Sequence, residues 1–140
     1  MYIPSKGNIL IERVPGDGFM TIGLPLLIHH KTLIIASPHN ISKYYRKYKN
    51  KVSPFSIRDY VIPDDIDKIL IDFRLFRIKS KGHKYLKKLC AGKKLIFINS
   101  PKDVKEMSSM LELLSVSKDV NLRVIVFNRF NELRTRRYGR

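Results

Sequence analysis

Apolar residues gather in five short runs along the chain: Asn8–Ile11, Thr32–Ala36, Lys68–Asp72, Lys94–Asn99 and Arg123–Asn128. They are rich in β-branched residues, and most lack polar alternation. A strand with one wet face alternates apolar and polar positions, whereas a strand buried on both faces does not. The runs therefore predict strands of a parallel sheet covered on both sides. The connections are too long for hairpins. Most hold a helical pattern of roughly ten residues or more, the length that right-handed parallel crossovers need.

Helix signals fill those connections. Ser100-Pro101-Lys102-Asp103 offers an N-cap, a proline at the first helical position and an acid at the third. Val104, Met107, Leu111 and Leu114 then form an amphipathic stripe. Ser37-Pro38 starts another helix, running through Tyr44, Tyr45 and Tyr48. A third fits Lys81–Cys90, with Tyr85, Leu86 and Leu89 inward and Gly92 just past its end. The first crossover helix spans Phe19–His29, with its length or straightness limited by Pro25. Ser53–Asp67 reads as a loop with one short helical turn. The expected fold is α/β: a three-layer, mostly parallel five-stranded sheet with helices on both faces. The expected organisation is one domain over residues 1–133 and a basic tail over 134–140.

Composition agrees with one domain: 140 residues, 44% of them hydrophobic, can build a real core. Charge narrows the partners. The chain carries 28 Lys and Arg against 12 Asp and Glu, a net charge of +16, which points to a polyanion. A single cysteine, Cys90, excludes an intramolecular disulfide framework and a Cys-rich zinc module. Met1 to Asn8 shows no secretory pattern, and no run approaches the roughly 20 apolar residues of a membrane span. The expectation is a cytoplasmic protein without a membrane partner.

The basic residues cluster. Lys43–Lys51 holds five, Arg74–Lys94 nine and Arg123–Arg140 six, and the three stretches contain 20 of the 28 cations but one of the 12 acids. Asp59, Asp64, Asp65, Asp67 and Asp72 crowd into one acidic segment. The C-terminal arginines Arg134, Arg136, Arg137 and Arg140 are the first candidates for phosphate contact, because guanidinium forks onto phosphate oxygens. Lys43, Arg46 and Lys47, interleaved with tyrosines, come next. Those tyrosines serve either as core, Tyr44 and Tyr48 sharing a face with Ile41, or, for Tyr45, as a base-stacking platform. The lysines of the middle cluster, Lys79, Lys81, Lys84, Lys87 and Lys88, fit an outer, solvated helix face. His29, His30, His39 and His83 lack metal-ligand spacing, so no metal site and no cofactor are expected. Cys90 falls on an apolar helix face and reads as a buried thiol.

One segment carries more specific chemistry. After the first run comes Pro15-Gly16-Asp17-Gly18, followed by Phe19, Met20, Thr21 and a helix. A glycine turn between strand and helix is where backbone amides cradle phosphate, though an ordinary tight turn has the same composition. The order of elements resembles the P-loop core of RecA-like ATPases, including archaeal recombinase paralogues and KaiC-like proteins. Lys68–Asp72 looks like a Walker B strand ending in an acid. The resemblance implies a RecA-like minimal core with a vestigial phosphate loop at Gly16, Gly18, Thr21 and Asp72. The chain departs from the family at the chemistry: a working loop reads G-x-x-x-x-G-K-[ST]. Here Arg13 replaces the first glycine, Phe19 the lysine and Met20 the Ser/Thr. The implied protein is a pseudo-ATPase with no catalytic residues.

Together these features predict a non-catalytic nucleic-acid-binding accessory protein, with DNA favoured over RNA, acting in recombination, repair or replication. It would dock on a RecA-like or other ATPase partner, or on copies of itself. Two alternatives stand beside it. One is a small metal-dependent nuclease or phosphotransfer enzyme using Asp72 at a strand's carboxyl end. The other is a basic interaction subunit of an ATPase complex.

Overall fold

Alternate residues of every long strand enter two separate cores, and this makes the molecule three layers deep. The computed structural model describes residues 6–13, 18–28, 31–78, 80–127 and 134–137. Its strands are β1 (Asn8–Glu12), β2 (Thr32–Ala36), β3 (Lys51–Val52), β4 (Lys68–Asp72), β5 (Lys94–Ile98), β6 (Leu122–Val126) and β7 (Arg134–Arg137). They form one seven-stranded sheet in the order β3-β2-β4-β5-β1-β6-β7. Every pairing is parallel except β6 with β7. The fold is α/β, with a mostly parallel sheet between helices.

The five expected strands are present, and the expected count is corrected by two edge strands. β3 is two residues long and too short to leave a periodic signal. β7 reads Arg-Thr-Arg-Arg and has no apolar face to detect. It joins through its backbone, from Val126 opposite Arg134 to Arg123 opposite Arg137. Thus the first four residues of the segment expected as a basic tail are an edge strand.

The helices are α1 (Leu24–Leu27), α2 (Pro38–Lys43), α3 (Ser80–Cys90) and α4 (Val104–Val116). One face of the sheet presents Leu10, Leu33, Ile35, Ile69, Ile71, Leu95, Phe97 and Val124. Leu86, Leu89 and Cys90 of α3 and Met110, Leu113 and Leu114 of α4 cover it. The other presents Ile9, Ile11, Ile34, Leu70, Ile96, Ile98 and Ile125, covered by Phe19, Leu24, Leu27 and Tyr45. Both faces of each strand are apolar, which is why the sequence shows runs and not alternation.

Three helical expectations are corrected. The first crossover is not one helix from Phe19: residues Phe19–Gly23 wind as a π turn, closed by Leu24 N–H on Phe19 O, before α1 begins. Pro25 has no N–H to give the preceding turn and sits in the first turn of α1. Gly23 is needed there, because a Cβ would lie 2.6 Å from the Phe19 ring.

The second helix stops at Lys43 and does not run through Tyr48. Tyr45 turns into the core with no exposed area. Lys51 Nζ donates to the carbonyls of Arg46 (3.1 Å) and Tyr48 (2.6 Å), holding the chain in a non-helical turn. So Tyr45 is core, Tyr44 is exposed and Tyr48 is half-buried.

The cap of α4 is Asp103, not Ser100: its Oδ1 accepts Glu106 N–H at 2.7 Å. The buried stripe is Glu106, Met110, Leu113 and Leu114, while Val104 and Leu111 are exposed. In this orientation Glu106 meets Arg74. α3 matches its expected span within one residue, with Leu86 and Leu89 buried and Tyr85 half-buried.

At the amino end of β1 one side chain gathers the neighbouring segments. Asn8 is 1% exposed. Its Oδ1 accepts Leu95 N–H at 2.8 Å, and its Nδ2 donates to Ser117 Oγ (3.1 Å) and to the carbonyls of Asn121 (3.2 Å) and Asp119. It ties β1 to β5 and to the connection after α4. Exposed Asp64, Asp65 and Asp67 precede β4 at this same end, interspersed with Lys31, Lys93 and Lys118.

Candidate functional site

β1 and β5 lie side by side, but their following helices pack on opposite faces: α1 in one core, α4 in the other. Such a divergence leaves a crevice at the carboxyl ends of the strands, where ligands of open α/β sheets bind. Here it is a cleft of about 1330 Å³, reached by residues following β1, β2, β4 and β5.

Asp72, the last residue of β4, lies at the cleft and is 5% exposed. Its Oδ2 accepts the Tyr45 hydroxyl at 2.6 Å and Asn40 Nδ2 at 3.4 Å. Asn40 is held by α2, whose Ser37 cap accepts its N–H. Burial raises the Asp72 carboxyl above the ordinary carboxylate range, opposed by the Tyr45 hydrogen bond and the charge of Arg13. Burial, then the charge of Asp72, push the Tyr45 phenol up as well. Arg13 follows β1, and its guanidinium lies 5.2 Å over the Phe19 ring.

A second buried acid lines the cleft. Glu106 is 7% exposed, and its Oε2 lies 3.7 Å from Arg74 Nε. Burial raises the Glu106 carboxyl and Arg74 opposes that shift. On the same wall, β5 is followed by Asn99, whose φ of 78° is in the left-handed region that asparagine tolerates better than most residues.

The rim is basic. Arg58 comes from a 3-10 turn at Ile57–Asp59, Arg77 from a turn after β4, Lys81 and Lys84 from α3, and Lys102 from the β5–α4 connection. All five are exposed. With Arg13 and Arg74 the cleft has seven cations against three acids, Glu12, Asp72 and Glu106. Phe55 also lines it and is 84% exposed.

The cleft gathers few of the expected site residues. Asp72 belongs to it. Gly18 has a left-handed φ of 74° and its carbonyl accepts Thr21 N–H, Thr21 Oγ1 and Ile22 N–H, but neither Gly18 nor Thr21 reaches the cleft wall. Lys43, Arg46 and Lys47 are exposed on the turn after α2, outside the cleft. Lys43 Nζ lies 5.1 Å over the Tyr44 ring and Lys47 Nζ 5.4 Å over that of Tyr48. Arg134, Arg136 and Arg137 are placed through their backbone in β7. Gly16 and Arg140 lie outside the described residues.

Sequence reasoning passed over Phe55 and Arg58, took Arg13 only as the replacement of a loop glycine, Lys102 only as part of a helix start and Arg77 only as one of a basic cluster, and treated Lys81 and Lys84 as a solvated face. A usable signal was present: Arg13, Arg74 and Lys102 each follow an apolar run within four residues, where the carboxyl ends of parallel strands open.

Elsewhere, Cys90 is buried and its thiol is pushed up to about 12 by burial, which makes it inert. Among the described residues no three His, Cys, Asp or Glu side chains group as metal ligands. No helix among them is long and apolar enough to cross a membrane.

Fold and site define a class: an α/β protein with a basic cleft at the carboxyl end of a mostly parallel sheet. No protein-family model matches the chain, and no curated protein shows significant similarity to it.

Proposed function

We propose that the protein binds nucleic acid through this cleft, as a non-catalytic accessory factor in DNA recombination, repair or replication. The observation that carries the proposal is the excess of seven cations over three acids in one cleft. Two of those acids are already engaged, Asp72 by Tyr45 and Glu106 by Arg74. The exposed Arg58, Arg77, Lys81 and Lys84 make no ion pair with a described acid, so a phosphate chain supplies the missing counter-charge. Such contacts position the protein on a backbone without reading bases. Lys43, Arg46 and Lys47, exposed on the turn after α2, extend the basic surface beyond the cleft.

The RecA-like resemblance belongs to this proposal. A left-handed Gly18 after β1 and a carboxylate ending β4 support it. With Phe19 where the catalytic lysine belongs, the fold serves as a scaffold, acting inside the cell on nucleic acid or beside an active ATPase.

Fluorescence anisotropy across a salt series tests the proposal. Each neutralised phosphate steepens the plot of log affinity against log salt by about 0.7–0.9. Replacing Arg77, Lys81 and Lys84 by Ala should weaken binding and flatten that slope by about two to three. Unchanged binding by the triple variant would remove the cleft from the reading.

A second reading uses the same floor: a metal-dependent nuclease or phosphotransfer enzyme acting through Asp72. The placement of Asp72 at the cleft favours it. Magnesium-dependent cleavage of labelled DNA or RNA, abolished by Asp72→Asn, would replace the first reading with this one.

A further inference from the structure

An aromatic ring stands in water at the mouth of the cleft. Phe55 is 84% exposed, although buried aromatic rings are common in this protein: Phe19 and Phe97 are at most 3% exposed. Phe55 lies in the turn between β3 and the 3-10 turn that carries Arg58, and both line the cleft together with the basic residues of α3. The neighbouring Ile57 is 3% exposed and anchors the turn in the core. The ring is therefore held outward on a fixed backbone.

Exposing a phenylalanine forgoes the gain of burying its ring. A lone exposed apolar residue needs no explanation by itself. This one shares its cleft with seven cations. Aromatic rings flanked by a positive groove are the pattern by which single strands are held: cations follow the phosphates and rings take the bases. The cleft, at about 1330 Å³, exceeds the ~300–1,000 Å³ typical of small-molecule sites, which suits a stretch of polymer.

Resting on the nucleic-acid reading above, we propose that the cleft takes single-stranded nucleic acid, with one base stacked on Phe55. Arg58, Arg77, Lys81 and Lys84 hold the flanking phosphates. A duplex cannot offer the same contact, because its bases are already stacked on one another. The protein thus selects an unpaired strand without selecting its sequence, since every base has a face to stack.

The test measures anisotropy for a short single strand, its duplex, and the same single strand carrying abasic sites. Variants are Phe55→Ala, Phe55→Trp and the Arg77/Lys81/Lys84 triple Ala variant. Phe55→Ala should weaken single-strand binding by about tenfold. Duplex and abasic binding, and the salt slope, should not change. Phe55→Trp should restore single-strand affinity, and its indole emission should be quenched on binding. Phe55→Ala binding a single strand as tightly as the parent, while the triple variant still loses affinity, would overturn the stacking and leave the basic cleft standing. Loss of neither would overturn both. Duplex preferred over single strand by the parent protein would also overturn the stacking proposal.

Discussion

The two ends of the sheet solve opposite problems with buried polar groups. At the amino end, Asn8 is enclosed and both ends of its amide are hydrogen-bonded. It is neutral, so its burial needs partners and no counter-charge. At the carboxyl end, Asp72 and Glu106 are just as deeply placed, but they are ionisable, and their carboxyls are raised by burial. Cations surround them in excess. The amino end encloses a neutral amide; the carboxyl end keeps charge beside the large cleft. On the proposed function, Asn8 serves stability at one end of the sheet and the cations serve binding at the other.

The sharpest way to break this division is to remove the Asn8 amide. Asn8→Ala strands the buried Leu95 N–H and removes the side-chain bonds to the connection after α4, and should cost about 2–3 kcal/mol in urea denaturation. The fraction still folded should bind nucleic acid as before, since no cleft residue is touched.

At the other end, Tyr45→Phe removes the 2.6 Å donor to Asp72 and should cost about 1–3 kcal/mol. The hydrogen bond favours the charged carboxylate, so the loss should be larger near neutral pH than in acid. Equal losses at both would show that Asp72 stays protonated throughout.

Asp72→Asn sharpens the comparison through pH alone. The folded pKa of Asp72 is raised, so its protonated form is the one the fold favours. That contribution is full below the unfolded pKa, about 3.9, and is lost as pH rises through the folded value. The stability of the Asn variant relative to the parent should therefore rise with pH across that window. A constant difference would place Asp72 in an environment as polar in the folded chain as in the unfolded one.

The smallest effect on stability should come from the rim. Each of Arg77→Ala, Lys81→Ala and Lys84→Ala should stay within about 0.5 kcal/mol, because these side chains are exposed. Their effect on salt-dependent binding should be the largest of any of these variants.

The sheet was legible because its strands bury both faces. Leu33, Ile34, Ile35 and Ala36 are all fully buried, so the run carries its own signal. α3 was legible for the same reason, with one apolar side and a glycine stop at Gly92. The C-terminus of α2 was not. Tyr45 leaves the helical path to reach an aspartate 27 residues away, and no local pattern announces such a partner. The face of α4 was misjudged because Val104 and Leu111 fit a stripe as well as Met110 and Leu113 do. The choice lay with the sheet residues that Met110, Leu113 and Leu114 pack against, which come from other segments of the chain.

By itself, then, the sequence determined the layers, the parallel strands and the excess of positive charge, because these follow from local periodicity and composition. Which cations act together was decided only by the tertiary structure. The crossovers bring Arg13, Arg58, Arg77 and Lys102, far apart along the chain, to one end of one sheet. A strand pairs with its neighbours through backbone groups common to nearly all residues, so the order of strands, and hence what meets at their ends, is not written in any single segment.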